Sequence, residues 1–152
     1  MIYFIKGKIH TDKDSGETET ALRRVAIRRH IPLDWHSSAA VSFDRKYFLG
    51  YENKDSLQLM RIRRYFQRLM PKLIVRFEKK GDFSMYRIRL SLVSTIIFGL
   101  LCILLVLNLT YLARGESPED LLSVFFAFCA FIVLAFLELF LTRRTLSMAM
   151  QA

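Results

Sequence analysis

Two long apolar stretches dominate the second half of the chain. Residues 90–113 contain no charged side chain, and residues 121–142 contain only one, Glu138. A helix rises about 1.5 Å per residue, so either stretch can cross the roughly 30 Å hydrocarbon core of a bilayer. Only seven residues, 114–120, lie between them. The pattern therefore predicts a tight hairpin of two membrane-spanning helices, at about residues 90–113 and 118–142.

The short connection carries the signals expected where one helix ends and the next begins. Gly115 can adopt the left-handed conformation that ends a helix. Ser117 is placed to cap the following helix, and Pro118 suits its first turn. These residues predict a turn with a structural role and no outward-facing receptor site.

In residues 1–90 the spacing of apolar residues is mostly that of strands. An alternating segment from Ile2 to Ile9 predicts an opening strand. Residues 19–30 have apolar positions at three- and four-residue spacing and Pro32 just beyond, which predicts an amphipathic helix, although Val25 and Ile27 also alternate as in a strand. Five short strands of an antiparallel meander are expected around residues 41–43, 47–51, 57–63, 73–77 and 83–90.

The predicted fold class is therefore an α+β membrane protein. It has a small, mostly antiparallel β domain with one helix, followed by a two-helix transmembrane hairpin. We expect a cytoplasmic β-rich domain at residues 1–89, the hairpin at residues 90–142 and a cytoplasmic tail at residues 143–152.

Positive charge is concentrated in the first part of the chain. Residues 1–90 hold 20 Lys and Arg against 10 Asp and Glu, whereas residues 91–152 hold 3 against 4. Because cytoplasmic flanks of spans are enriched in Lys and Arg, both termini should be cytoplasmic. The apolar start is too short before Lys6 to form the core of a secretory signal, which agrees with a cytoplasmic first domain.

A basic and aromatic cluster precedes the first span. Its candidate contact residues are Arg61, Arg63, Arg64, Tyr65, Arg68 and Lys72. Anionic lipid headgroups are a natural partner, since each cation near a negative leaflet contributes about 1 kcal/mol. A protein partner could also contact the cluster. The simplest interpretation is that these charges only enforce membrane topology, because every cytoplasmic flank of a span needs such charge. Nucleic acid is not expected, because no nucleic-acid-reading motif is present.

Glu138 is the candidate site within the membrane. A carboxylate in a span costs roughly 2.5 to 3.5 kcal/mol at mid-helix, so it usually has a partner or a task. Matching depths along the hairpin places it opposite the Thr95 hydroxyl. It would then handle protons or ions or contact a partner's membrane helix; alternatively, it bonds to Thr95 or reaches toward Arg143 and Arg144.

The sequence offers little for catalysis or metal binding. Cys102 and Cys129 lie inside the apolar stretches and have no metal-ligand spacing. Asp34, His36 and Ser37 are nearly adjacent in sequence, so their side chains point in different directions and cannot form a relay with one another. We therefore expect no enzyme activity, no cofactor and no metal.

Residues 47–50 and 57–75, followed by a polar turn and two spans, resemble a loosely defined group of small uncharacterised bacterial two-span membrane proteins with a β-rich cytoplasmic domain. The resemblance implies this architecture only. It implies no activity. We expect a protein of a bacterial inner membrane.

The expected function is that of a noncatalytic, membrane-anchored interaction or accessory protein. It would bind a protein partner at the cytoplasmic membrane face, with immunity to a membrane-acting toxin as one version. The alternative is a subunit of an oligomeric channel or transporter that uses Glu138. Partner binding predicts that Glu138→Gln is tolerated and that Arg61, Arg64 and Tyr65 substitutions are damaging, whereas transport predicts the reverse.

Overall fold

The computed structural model describes residues 5–8, 15–35, 46–63, 65–78, 85–115 and 121–151. Their secondary structure comprises β1 (Ile5–Lys8), α1 (Ser15–Val25), β2 (Ala26–Arg29), β3 (Phe48–Glu52), β4 (Ser56–Arg61), β5 (Leu73–Glu78), β6 (Met85–Leu90), α2 (Leu92–Ala113) and α3 (Leu121–Gln151). Two short 3₁₀ helices, Leu33–Trp35 and Tyr65–Leu69, lie between strands. The fold is α+β, as the sequence predicts.

The six strands form one sheet in the order β1-β6-β5-β4-β3-β2. Every neighbouring pair is antiparallel except β2 and β3, which are parallel. Strands β3 to β6 correspond to four of the five meander strands expected from alternation. The fifth, at residues 41–43, lies outside the described residues.

The predicted helix over residues 19–30 is wrong in its second half. The structure ends α1 at Val25 and pairs Ala26–Arg29 with β3. A Cβ on Gly50 of β3 would lie 3.2 Å from the Cβ of Ala26, so the two small residues allow these backbones to approach closely. The alternation of Val25 and Ile27 was the local sign of this strand, and pairing with a distant strand decides between the two conformations.

The sheet packs apolar side chains on both faces. On the first face, Leu59, Val75 and Ile88 are in register on adjacent strands and are fully buried. On the second face, a smaller buried cluster contains Met60 and Ile74. We call these the helix-covered face and the open face, because α1 and the end of α3 pack on the first.

The helices α2 and α3 are both long and apolar enough to cross a membrane. Their best windows each have a mean hydropathy of 2.7, and only 6% of each window is buried within the protein. A soluble core helix would be mostly buried, so the two helices indicate a membrane protein. The ring of Phe98 stacks on Phe128 and Phe131 at centroid distances of 5.8 and 5.5 Å, which joins the helices into a hairpin.

The caps of α2 follow the sequence. Ser91 is the N-cap, and its hydroxyl accepts a hydrogen bond from the Ser94 amide. At the other end Gly115 has φ 82°, the left-handed conformation expected there. Ser117 and Pro118 lie outside the described residues.

The helix α3 does not stop where the apolar stretch ends. It continues past Thr142 to Gln151, through the segment expected to be a cytoplasmic tail. Leu146, Ala149 and Met150 are buried in the same core as Leu22 of α1. One uninterrupted helix therefore joins the apolar hairpin to the core of the β domain.

Candidate functional site

The junction between the sheet and the apolar helices contains a buried ion pair. Arg61, the last residue of β4, pairs in register with Phe48 and so points to the helix-covered face. Its Nη2 lies 2.5 Å from Oε2 of Glu138, and its Nε donates to Oε1 at 3.3 Å. The two side chains are 8% and 2% exposed. The carboxylate in the second apolar stretch is thus held in a two-pronged contact by a cation from the sheet.

The contact expected between Glu138 and Thr95 is not the one that forms. The Thr95 hydroxyl donates to the carbonyl of Ser91, one turn earlier in its own helix, at 2.9 Å. Arg143 and Arg144, the other expected partners, are exposed. Depths along the hairpin identify neighbours within the hairpin only, whereas the partner of Glu138 comes from a strand 77 residues away in sequence.

Arg63 lies behind this pair and is 1% exposed. Its Nη1 donates to the carbonyls of Gln67 and Met70, which fastens the 3₁₀ helix Tyr65–Leu69 to the end of β4. Burial is the main cause that lowers the pKa of Arg63, with Arg61 acting in the same direction and Glu138 opposing both. The negative charge of Glu138 therefore compensates the positive charges of two buried arginines, Arg61 and Arg63.

The remaining members of the predicted basic cluster are divided between the junction and the surface. The Lys72 amide donates to Oγ of Ser94 at 2.8 Å, and its carbonyl accepts from the Ser91 amide at 2.8 Å. Burial, followed by the charge of Arg63, lowers the pKa of the Lys72 ammonium. Arg68 is exposed. Arg64 and the side chain of Tyr65 lie outside the described residues.

A second buried ion pair joins the open face to α2. Nη1 and Nη2 of Arg89 lie 2.9 and 2.7 Å from the two carboxylate oxygens of Asp34. The Leu92 amide, at the first residue of α2, also donates to Asp34 Oδ1 at 2.8 Å. Asp34 therefore binds the last cation before the first span and one of the free amides of the helix that follows.

Sequence reasoning missed this pair. In the sequence, Asp34 draws attention only beside His36 and Ser37, with which it cannot form a catalytic relay. The available signal was Arg89 itself, because a cation one residue before an uncharged stretch is either exposed to headgroups or paired. Only the fold decides that its partner is Asp34, 55 residues earlier.

We expect Asp34 to make the stability of the protein sensitive to acid. The Arg89 guanidinium is the main cause that holds the pKa of Asp34 below its usual range, against the opposing effect of burial. A carboxylate with a depressed folded pKa stabilises the fold above its unfolded pKa of about 3.9 and loses that contribution as the pH falls further. Wild type should therefore be more stable to unfolding than Asp34→Asn, and this difference in stability should be largest near pH 7 and become smaller below about pH 4.

Thermal unfolding of the full chain in detergent, measured across this pH range, tests the expectation. Glu17→Gln, on the exposed side of α1, is the matched control and should follow wild type. A constant difference between wild type and Asp34→Asn at every pH would contradict it.

The two buried ion pairs are the main polar features of the described residues. Among them, no three His, Cys, Asp or Glu side chains lie together in a way that could hold a metal ion. The carboxylates of Asp34 and Glu138 each contact an arginine on opposite faces of the sheet. The arrangement fixes the β domain on the two apolar helices.

Comparison with known proteins adds no relative. No family model, no curated protein and no solved structure matches this chain. The resemblance to small bacterial two-span proteins therefore stays a prediction.

Proposed function

We propose that this protein is a noncatalytic accessory protein of the bacterial cytoplasmic membrane. Both termini would lie in the cytoplasm, and the β domain would bind a protein partner at the membrane surface. Immunity to a membrane-acting toxin is one version of this role. The observation that carries the proposal is the rigid attachment of the sheet to the apolar helices.

The attachment acts on both faces of the sheet. Arg61 binds α3 from the helix-covered face, and Arg89 binds Asp34 at the start of α2 from the open face. The end of α3 adds a third connection, because Leu146 is part of the domain core. A domain held in this way keeps a fixed height and direction above the bilayer, which suits the presentation of a binding surface.

The open face offers such a surface. Lys6, Arg87 and Arg76 are in register on β1, β6 and β5, so their side chains form a row on one face. The row continues through Gln58 and Tyr51 to Arg29 on β2. We call it the basic row. Lys6 and Arg87 are exposed, whereas Arg76 and Arg29 are half-buried, and Arg87 also contacts Glu78 at 3.4 Å. The row favours an acidic partner surface mainly at its β1–β6 end.

The charge distribution supports the cytoplasmic orientation. Ten Lys and Arg lie between residues 61 and 89, directly before α2, and Arg143 and Arg144 follow the apolar part of α3. Arg87 precedes Leu90 by three residues, which places the basic row about 10 Å above the end of the sheet at the usual rise of a strand. A partner would meet the row close to the headgroups.

The geometry of Glu138 favours this role over conduction. Its side chain is 2% exposed and both carboxylate oxygens contact Arg61. A residue that carries ions or protons needs access to a path, and a neutralised, enclosed carboxylate does not offer one. Since Arg61 and Glu138 are partners, substitution of either disturbs the same contact and does not separate binding from transport.

Crosslinking in native membranes, followed by mass determination of the intact complex, tests the proposal. We expect a complex of defined stoichiometry with another protein, which Arg87→Glu weakens. Arg24→Glu is the matched control, because Arg24 is an exposed residue of α1 on the opposite side of the sheet. A closed ring of this chain alone, or equal yields from both variants, would reject partner binding through the basic row.

A further inference from the structure

A cavity of about 530 Å³ lies where the sheet meets the two apolar helices. Leu73 and Leu90 contribute from the sheet, Phe98 from α2, and Ala135 and Leu139 from α3. Its volume falls in the range of about 300–1,000 Å³ that is usual for small-molecule sites. The function proposed above makes no use of it.

The lining is almost wholly apolar. Of the thirteen described residues around the cavity, all but Arg89 and Thr95 have hydrocarbon or aromatic side chains. Ile96 and Phe136 belong to the lining and are also 54% and 68% exposed on the outer surface of the helices. In a membrane these two side chains would face hydrocarbon, so the cavity is continuous with the interior of the bilayer.

The cavity lies at the depth where the helices leave the bilayer. Leu92, the first residue of α2, is in its wall. Leu139 is also in the wall and directly follows Glu138, whose carboxylate already contacts the sheet. An occupant therefore has its apolar part among the helices and its polar part near the headgroup boundary.

The guanidinium of Arg89 does not offer a charge to the cavity. Strand alternation places this side chain on the open face, opposite Leu73 and Leu90, where Nη1 and Nη2 bind Asp34. Its Nε is fully buried as well. The described wall therefore presents hydrocarbon and no accessible charge, which suits an acyl chain and leaves the polar part of a lipid at the headgroup boundary.

We propose that this cavity binds one acyl chain of a membrane phospholipid, with the ester and headgroup of that lipid at the bilayer boundary near Leu92 and Leu139. A transmembrane helix of a second copy does not fit, because a helix about 10–12 Å across fills this volume with little more than one turn. Water is disfavoured by the apolar wall. The inference depends on the membrane location of α2 and α3 and is independent of a protein partner.

Native mass spectrometry of the full chain, extracted from bacterial membranes and stripped stepwise with detergent, tests the proposal. Wild type should retain a single phospholipid that Ala135→Phe loses, since the new ring occupies the cavity. Ala127→Phe, at an exposed position two turns earlier on α3, should retain it. Equal retention by wild type and Ala135→Phe, or a free fatty acid in place of the phospholipid, would overturn the proposal.

A second measurement uses wild type only and does not depend on the variants folding. A phospholipid with a photoreactive group within one acyl chain is added to vesicles that contain the protein. We expect the crosslinked peptides to include Thr95 and Ala135, which both line the cavity. Crosslinks spread evenly over exposed positions such as Phe125 and Phe126 would reject a specific site.

Discussion

Replacing Glu138 with leucine should destabilise the protein by about 3–5 kcal/mol, the usual cost of removing one partner from a buried ion pair. The substitution leaves Arg61 without its anion, and it also removes the charge that offsets Arg63. The loss would appear as a lower midpoint of thermal unfolding of the full chain in detergent. Val133→Leu, at an exposed position of the same helix, is the control and should melt like wild type.

A double variant tests the cause of this loss. In Arg61→Met/Glu138→Leu both charges are absent and the two side chains retain apolar volume, so part of the lost stability should return. The return should be incomplete, because Arg63 stays buried beside the site with no carboxylate in contact. Additive losses in the two single variants and the double variant would show that Arg61 and Glu138 do not act as a pair.

The second large effect is expected at the far end of α3. Leu146→Ala should cost about 2–5 kcal/mol, as large-to-small substitutions do in a packed core. Leu146 is 2% exposed and belongs to the cluster that contains Leu22, Phe48 and Phe77. Met148→Ala is the matched control, because Met148 is 48% exposed on the same stretch of helix.

Limited proteolysis of the full chain in nanodiscs, at increasing denaturant, would measure this effect at the β domain. If residues 143–151 were a detached tail, Leu146→Ala and Met148→Ala would give the same protease resistance. That result would contradict the packing of α3 on the helix-covered face.

The features that the sequence predicts well are those set by neighbouring residues. The apolar stretches predict α2 and most of α3, because length and absence of charge are sufficient for a span. Alternation predicts β3 to β6 within a few residues. Gly115 ends α2 as expected, since the left-handed conformation is a local requirement of the backbone.

The features that the sequence predicts poorly depend on residues far apart in the chain. Whether residues 26–29 continue a helix or form a strand is decided by β3. The partner of Glu138 lies in β4, and the partner of Arg89 lies before β3. The alternation of side chains in β4 did contain one usable signal. Arg61 lies two residues after Leu59 and four after Leu57, so all three side chains point to the same, apolar face of the sheet. That position argues against a headgroup contact for Arg61.

The continuity of α3 has a mechanical consequence for the whole molecule. Its 31 residues span roughly 46 Å at 1.5 Å per residue, more than the hydrocarbon thickness of a bilayer. Membrane helices adjust to a thinner or thicker bilayer mainly by tilting. Because one end of α3 is packed in the domain core, such a tilt cannot be absorbed by a hinge at residue 143 and must rotate the sheet with it. The lipid composition around the hairpin would then set the angle between the basic row and the membrane surface.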